Sequence, residues 1–198
     1  MKIYVDNNSL FYMKDNLELG NCITVIDDDG NKFYYEFEIY NEEALIKYNS
    51  ILHIKEAINY FRKINKQIII FYNKDRSFYM AFDKIFTFKL PINILQPSKF
   101  FIDEEKLEVC RKHLEDKPIT LPVTIIDDEY VLLDGHARAR FLLENDYKMV
   151  DVYMDEEDDF TREYVYIAKE NNLFKISQMQ ILSHEDYLEY LEQTNNER

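Results

Sequence analysis

Tyr130-Val131-Leu132-Leu133-Asp134-Gly135-His136-Ala137-Arg138-Ala139-Arg140-Phe141-Leu142-Leu143 is the stretch that decides the fold reading. Tyr130 to Leu133 is a compact apolar run of strand type. Gly135 interrupts it, and the chain has only two other glycines, Gly20 and Gly30. A chain this poor in glycine places one where the backbone must turn tightly or let a ligand approach. Helical sequence follows, with Ala139, Leu142 and Leu143 spaced to face a sheet. The first turn of such a helix offers free N–H groups and a positive dipole end, a seat for an anion. His136, Arg138 and Arg140 surround that seat. Two residues apart, the arginines cannot share a face. Arg138 is expected on the ligand and Arg140 toward solvent or an acidic partner. The plain alternative is a strand-to-helix turn whose polar side chains face water.

Upstream, Lys89 to Leu95 reads as a strand and Gln96-Pro97-Ser98-Lys99 as a loop. Asp103 caps a helix from Glu104 to Leu114. Glu104 and Glu105 in its first turn and Arg111, Lys112 and His113 in its last match the helix dipole. Cys110 falls on the apolar stripe of that helix with Leu107 and Leu114, which predicts a buried thiol. Leu121 to Ile126 and Tyr130 to Leu133 read as strands turned by Asp127-Asp128-Glu129. Val150 to Tyr153 reads as another strand.

Leu133-Asp134-Gly135-His136-Ala137-Arg138 resembles the Asp-Gly-His-x-Arg signature of the ParB/sulfiredoxin-like superfamily. The resemblance extends through Leu90-Pro91-Ile92-Asn93-Ile94-Leu95-Gln96-Pro97-Ser98, the helix from Glu104, the strand from Leu121 and the segment Val150 to Tyr153. It covers roughly residues 89–155, about a third of the chain. It implies an α+β fold, and a superfamily that includes DNA-partition CTPases, sulfinic acid reductases and free serine kinases. The loop is most similar to that of the free serine kinases and related small proteins. Sulfiredoxin-like members carry a cysteine where this chain has His136. Partition proteins carry a Gly-Glu-Arg-Arg loop followed by a DNA-binding domain, where this chain has only an acidic tail.

The kinase-type resemblance implies a nucleotide (ATP, ADP or CTP) with Mg2+. Its phosphates would rest on Gly135, His136, Ala137 and Arg138, with Arg138 neutralising charge. Asp134 would hold the magnesium ion or orient the acceptor hydroxyl, and His136 would contact substrate or phosphate. Phosphoryl transfer needs mainly positioning, charge neutralisation and a carboxylate for the hydroxyl proton. Kinases of this type place a catalytic glutamate after the first proline of the fold. Pro97-Ser98-Lys99 stands there instead, which leaves Lys99 as a candidate phosphate ligand and Glu104 or Glu105 as the candidate replacement carboxylate.

Composition narrows the partners. Hydrophobic residues make up 46% of the 198, enough for a proper core. Net charge is −14, and the segment from Asp151 onward holds 13 acidic against 4 basic residues. A nucleic-acid binder carries a basic footprint; here a phosphate backbone meets long-range repulsion, which argues against a nucleic-acid partner. A local basic pocket for one nucleotide or small phosphorylated metabolite remains compatible with this charge. Cys22 and Cys110 lie far apart, Met1 to Val5 leads straight into polar residues, and no apolar run approaches the ~20 residues of a membrane span. A reducing cytoplasm and no membrane partner are therefore expected. His53, His113, His136 and His184 form no metal-ligand cluster in sequence.

The first half carries no recognisable chemistry. Lys2 to Val5 and Leu10 to Met13 are short strand candidates. Cys22 to Ile26 and Lys32 to Tyr40 form a hairpin around Asp27-Asp28-Asp29-Gly30-Asn31. Asn41 to Arg62 reads as helical, broken near Asn49-Ser50, with Ile54, Ala57, Ile58 and Phe61 on one face. Gln67 to Tyr72 and Phe78 to Phe86 return as strands. In the tail, Thr161 is expected to cap a helix with Tyr164, Ile167 and Ala168 on one face. Ser183-His184-Glu185-Asp186 resembles a capping box. Tyr187, Leu188 and Leu191 are expected to dock the final helix, with residues 194–198 frayed.

The expected organisation is an α+β unit over 1–87, a ParB/sulfiredoxin-like domain over 88–155 and a helical extension over 156–198 packed on it. The leading function is nucleotide or phosphate binding, extended to a small-molecule phosphotransferase with Asp134, His136 and Glu104 as catalytic candidates. The alternatives are a non-catalytic sensor or protein-interaction module, with residues 1–87 available to a protein partner, and a DNA-associated ParB-like protein.

Overall fold

The computed structural model describes residues 1–115 and 117–196. The chain is α+β, with six α-helices and three sheets among the described residues. It divides into two compact units, Met1–Ile85 and Phe86–Arg198.

The first unit is built on one six-stranded sheet. Its strands are β1 (Lys2–Val5), β2 (Cys22–Ile26), β3 (Lys32–Tyr40), β4 (Glu43–Tyr48), β5 (Ile70–Asn73) and β6 (Phe78–Ala81), in that spatial order. Neighbours are antiparallel except β4 and β5, which run parallel across the helix α2 (Ile54–Ile64). Ile54, Ala57, Ile58 and Phe61 are the buried face of α2, as their spacing predicts. Phe61 stacks on Phe37 of β3 with ring centroids 4.1 Å apart.

Two expectations for this unit need correction. Residues 43–48 are a strand, not helix. Ala44 and Ile46 alternate inward with no exposed surface, and β4 bonds to β3 on one side and β5 on the other. Pairing on both edges outweighs the local helix preference. Leu10 to Met13 is not a strand but the approach to a short helix, α1 (Lys14–Glu18). The Asp6 carboxylate accepts the Asn8 and Ser9 N–H groups at 3.0 and 3.1 Å, and the Tyr12 hydroxyl donates to the Ile23 carbonyl at 2.6 Å. Such local side-chain bonds offer the backbone an alternative to a ladder.

The second unit has a five-stranded sheet and a two-stranded one. The elements in chain order are β7 (Phe88–Pro91), β8 (Gln96–Pro97), β9 (Phe101–Asp103), α3 (Glu104–His113), β10 (Thr120–Ile126), β11 (Glu129–Leu132), α4 (His136–Glu144), β12 (Met149–Met154), α5 (Thr161–Glu170), β13 (Gln180–Leu182) and α6 (His184–Asn196). The large sheet is ordered β7-β12-β10-β11-β8, and β13 pairs in parallel with β9. This arrangement is consistent with a ParB/sulfiredoxin-like unit. Leu107, Cys110, Leu121, Val123, Leu132, Ala139, Leu142 and Val152 meet in one core beneath α3 and α4.

Several local readings change here. The expected strand to Leu95 stops at Pro91 and gives way to a 3-10 turn over Ile92–Ile94. The expected loop at Gln96-Pro97 is β8, set parallel against β11. Thr161 is the first residue of α5 rather than its cap; Asp158 accepts the Phe160 N–H at 3.1 Å and the Thr161 hydroxyl at 2.6 Å. Val165 is buried in α5 where Ile167 was expected, and Ile167 is exposed. In α6 only Tyr187 of the three expected docking residues is buried; Leu188 and Leu191 are exposed. The helix continues to Asn196, and Glu197 and Arg198 of the expected frayed end lie outside the described residues.

Candidate functional site

The loop between β11 and α4 gathers most of the residues singled out in sequence. Gly135 sits in the left-handed region at φ 83° and ψ 28°. A side-chain carbon there would fall 2.7 Å from Leu121 Cδ2 and 2.8 and 2.9 Å from Arg138 Nε and Nη2. The glycine therefore does two things: it permits the turn, and it lets the Arg138 guanidinium fold back over the loop. From there Arg138 Nη2 donates to Asp134 Oδ2 at 3.2 Å.

The helix start is open. The Ala139 N–H closes the first helical bond, to the Gly135 carbonyl at 2.8 Å. The preceding N–H groups of His136, Ala137 and Arg138 fall outside the helical ladder. Among the described residues no side chain caps this end, and the first turn carries no acid. α3 differs: its N-terminus is capped by Asp103, which accepts the Glu105 N–H at 3.0 Å. Arg111 of α3 anchors α4 by donating through Nε and Nη2 to Glu144 at 3.0 and 2.8 Å.

His136 is 5% exposed and pinned from one side. The Ser98 N–H donates to His136 Nε2 at 3.2 Å, while the Ser98 hydroxyl donates to the Leu132 carbonyl at 2.6 Å. With Nε2 accepting, the network assigns the imidazole proton to Nδ1. Nδ1 is buried and has no hydrogen-bond partner among the described residues. Burial holds the imidazole far below its usual pKa, and Lys99 and Arg138 push the same way against the opposing pull of Asp134. The ring is neutral, and its one proton is uncommitted.

Asp134 is the opposing charge. Its side chain is half exposed. Burial alone raises its pKa, but Arg138, Lys99 and the Gly135 N–H together hold the carboxyl below its usual value. Lys99, exposed and next to Ser98, thus contributes charge to both Asp134 and His136. The structure brings Asp134, Gly135, His136, Ala137, Arg138 and Lys99 to one place. Glu104 sits exposed on the first turn of α3, and no hydrogen bond or ion pair joins it to the loop among the described residues. Arg140 points away, donating to Glu144 at 3.1 Å and to the Ser177 carbonyl at 3.0 Å.

Ser98 and Tyr153 were not singled out as site residues. Tyr153 is 2% exposed; burial raises its hydroxyl to about 12, with Asp155, Arg138 and Asp134 all within electrostatic reach. Its position in the last strand of the resembling segment was the available signal. Ser98 followed Pro97 at the end of a strand too short to read.

The arrangement can bind an oxyanion through helix N–H groups and two cations. Among the described residues no group of three or more His, Cys, Asp and Glu is placed to hold a metal ion. A magnesium ion at Asp134 would draw its other ligands from phosphate and water. The carboxylate suits that ion chemically, and its pairing with Arg138 competes with it.

No family model and no curated protein matches the chain. Among solved structures it is similar to protein Atu1540 from Agrobacterium tumefaciens, at 19% identity over 44% of this chain and 48% of that one, with a TM-score of 0.33. It is also similar to the C-terminally truncated chromosome-partitioning protein ParB from Caulobacter crescentus, complexed with CTP-γ-S. That match has 26% identity over 44% of this chain and 52% of that one, with a TM-score of 0.29. The chain thus spans about half the length of each. Likenesses of this strength carry no functional weight, and the reading rests on the residues of the loop.

Proposed function

We propose that the loop from Asp134 to Arg138 binds the phosphate of a nucleotide or small phosphorylated metabolite. The observation that carries this reading is the uncapped start of α4, with Arg138 folded over it and Lys99 beside it. The buried, unpartnered His136 Nδ1 supports it as a spare donor. A phosphate oxygen would accept from the free N–H groups and from Arg138, and this local field opposes the −14 of the whole chain.

Transfer of a phosphoryl group to a small hydroxylated molecule would need a base at the acceptor. Asp134 is the loop carboxylate available for that role. Its pairing with Arg138, and the lack among the described residues of any bond from Glu104 to the loop, favour binding without turnover as the second reading.

A thermal-shift panel of ATP, ADP, CTP, GTP and phosphate, with magnesium, tests the binding reading. CTP belongs in the panel because the loop's resemblance in sequence implies ATP, ADP or CTP. A ligand that binds only the native state raises its stability by about 2.7 kcal/mol at a hundred times its Kd. A shift that disappears in Arg138→Ala is the expected result, and no shift with any compound contradicts the reading. Release of ADP or AMP in the presence of serine would favour transfer over binding alone.

A further inference from the structure

The loop carries a carboxylate of its own beside the arginine. Asp134 precedes Gly135, and Arg138 Nη2 donates to Asp134 Oδ2 at 3.2 Å. The pair meets across the glycine. A Cβ on Gly135 would lie 2.8 and 2.9 Å from Arg138 Nε and Nη2, so the guanidinium rests directly on the loop backbone. The two partners are held unequally. The Arg138 side chain is 22% exposed and that of Asp134 50% exposed. Asp134 therefore has solvent to turn into, whereas Arg138 is seated against the chain.

A carboxylate is an unfavourable neighbour for a bound anion, because like charges a few ångströms apart repel. An empty loop without it is unfavourable too. The N–H groups of His136, Ala137 and Arg138 lie outside the helical ladder, and the Arg138 and Lys99 charges add to them. Asp134 balances that field. Burial works against its ionisation, and Arg138, Lys99 and the Gly135 N–H outweigh burial and keep it charged at neutral pH. Its Oδ2 accepts from Arg138 the same charge-assisted N–H···O bond that a phosphate oxygen accepts.

Resting on the phosphate-binding reading, we propose that Asp134 is a built-in competitor of the ligand: its carboxylate occupies the Arg138 guanidinium in the empty protein and turns out to solvent when a phosphate oxygen takes its place. Arg138 stays over the loop and exchanges one oxygen for another. The ligand must displace a carboxylate already tethered beside the arginine. That selects a tetrahedral oxyanion, which can take the guanidinium and the helix N–H groups together, over a singly charged carboxylate metabolite. Deleting the Asp134 charge then strengthens binding, the opposite of what the loss of a ligand-holding side chain does.

Calorimetric titration of the full chain with inorganic phosphate, in buffer stripped of divalent cations, tests this. Without such cations the carboxylate can act on phosphate only as a competitor. Asp134→Asn is expected to bind phosphate about tenfold more tightly than the wild type, the relief of one like-charge repulsion in partly solvated surroundings. Asp134→Ser removes the same charge and carries the same test should the amide variant fail to fold. Equal or weaker binding in the folded variant overturns the competition while leaving phosphate binding standing. Binding by neither variant nor wild type overturns the phosphate reading and the competition with it. A second readout needs no phosphate. The guanidinium N–H resonances of Arg138, identified by their loss in Arg138→Ala, are expected to move in Asp134→Asn. Resonances left in place by that substitution mean that no bond joins the pair, and the competition is overturned.

Discussion

At the scale of single residues, Gly135 and His136 set the character of the loop. Gly135→Ala puts a side chain at positive φ and within 3 Å of both Leu121 and Arg138. The left-handed conformation alone costs about 1–2 kcal/mol. Chemical denaturation should show at least that loss, together with weaker phosphate binding because Arg138 must move. His136 makes stability depend on pH in a defined direction. Its folded pKa is depressed from 6.5 toward about 3, so the unfolded chain takes up a proton that the native state refuses. Stability from this group is present above about 6.5 and is lost as pH falls toward 3, at about 1.4 kcal/mol per pH unit. His136→Gln keeps an acceptor for the Ser98 N–H and removes the titration. Denaturation curves at pH 7 and 5.5 should therefore fall further apart for the wild type than for this variant; equal spacing would contradict a buried neutral histidine. The glycine and both charged partners were legible in the local sequence. The role of Ser98 was not, because it joins His136 across 38 positions of chain.

At the scale of elements, the ends of α3 were read well, those of α2 and α5 less well at their starts, and strand identities least well. Asp103 was identified as the cap of α3 because acids before an apolar-periodic run signal a helix start. Asp103→Ala should cost about 1 kcal/mol as a lost cap. It should also free His184, whose Nδ1 lies 3.0 Å from Asp103 Oδ2, raising amide exchange in α6. Asp103→Asn, which preserves an acceptor for the Glu105 N–H, should restore most of the stability in a thermal melt. The β4 segment was misread because Glu42-Glu43-Ala44-Leu45-Ile46-Lys47 carries good helix formers and its pairing partners come from both sides of the chain. β8 and β9 were missed for a related reason: two- and three-residue strands have no periodicity to detect. Phe61 was placed correctly by helical spacing. Phe61→Ala removes a ring stacked on Phe37 and should destabilise the first unit by about 3–5 kcal/mol in urea titration.

At the scale of the whole molecule, charge and composition speak to partners more than to fold. A net charge of −14 repels polyanions at a distance, whereas in the proposed function Lys99 and Arg138 would attract one small anion at close range. Duplex DNA should accordingly show no salt-sensitive retention of this protein, even at about 50 mM salt where such binding is strongest. Retention that falls with salt would reverse that account. Among the described residues no helix is long and apolar enough to cross a membrane. The α+β class and the α4 loop followed from residues 89–155, where motif and periodicity agree. Residues 1–87 gave strands and a helix but no recognisable motif; their sheet packs a core of aliphatic and aromatic side chains.

Phosphate seating at the start of α4 is the central proposal for this protein. The most direct measurement is a titration of the 15N-labelled chain with inorganic phosphate, following backbone amide resonances. Saturable shifts concentrated at His136, Ala137 and Arg138, and abolished by Arg138→Ala, are the predicted result. An absence of saturable shifts at those three amides, or shifts centred elsewhere, would contradict it.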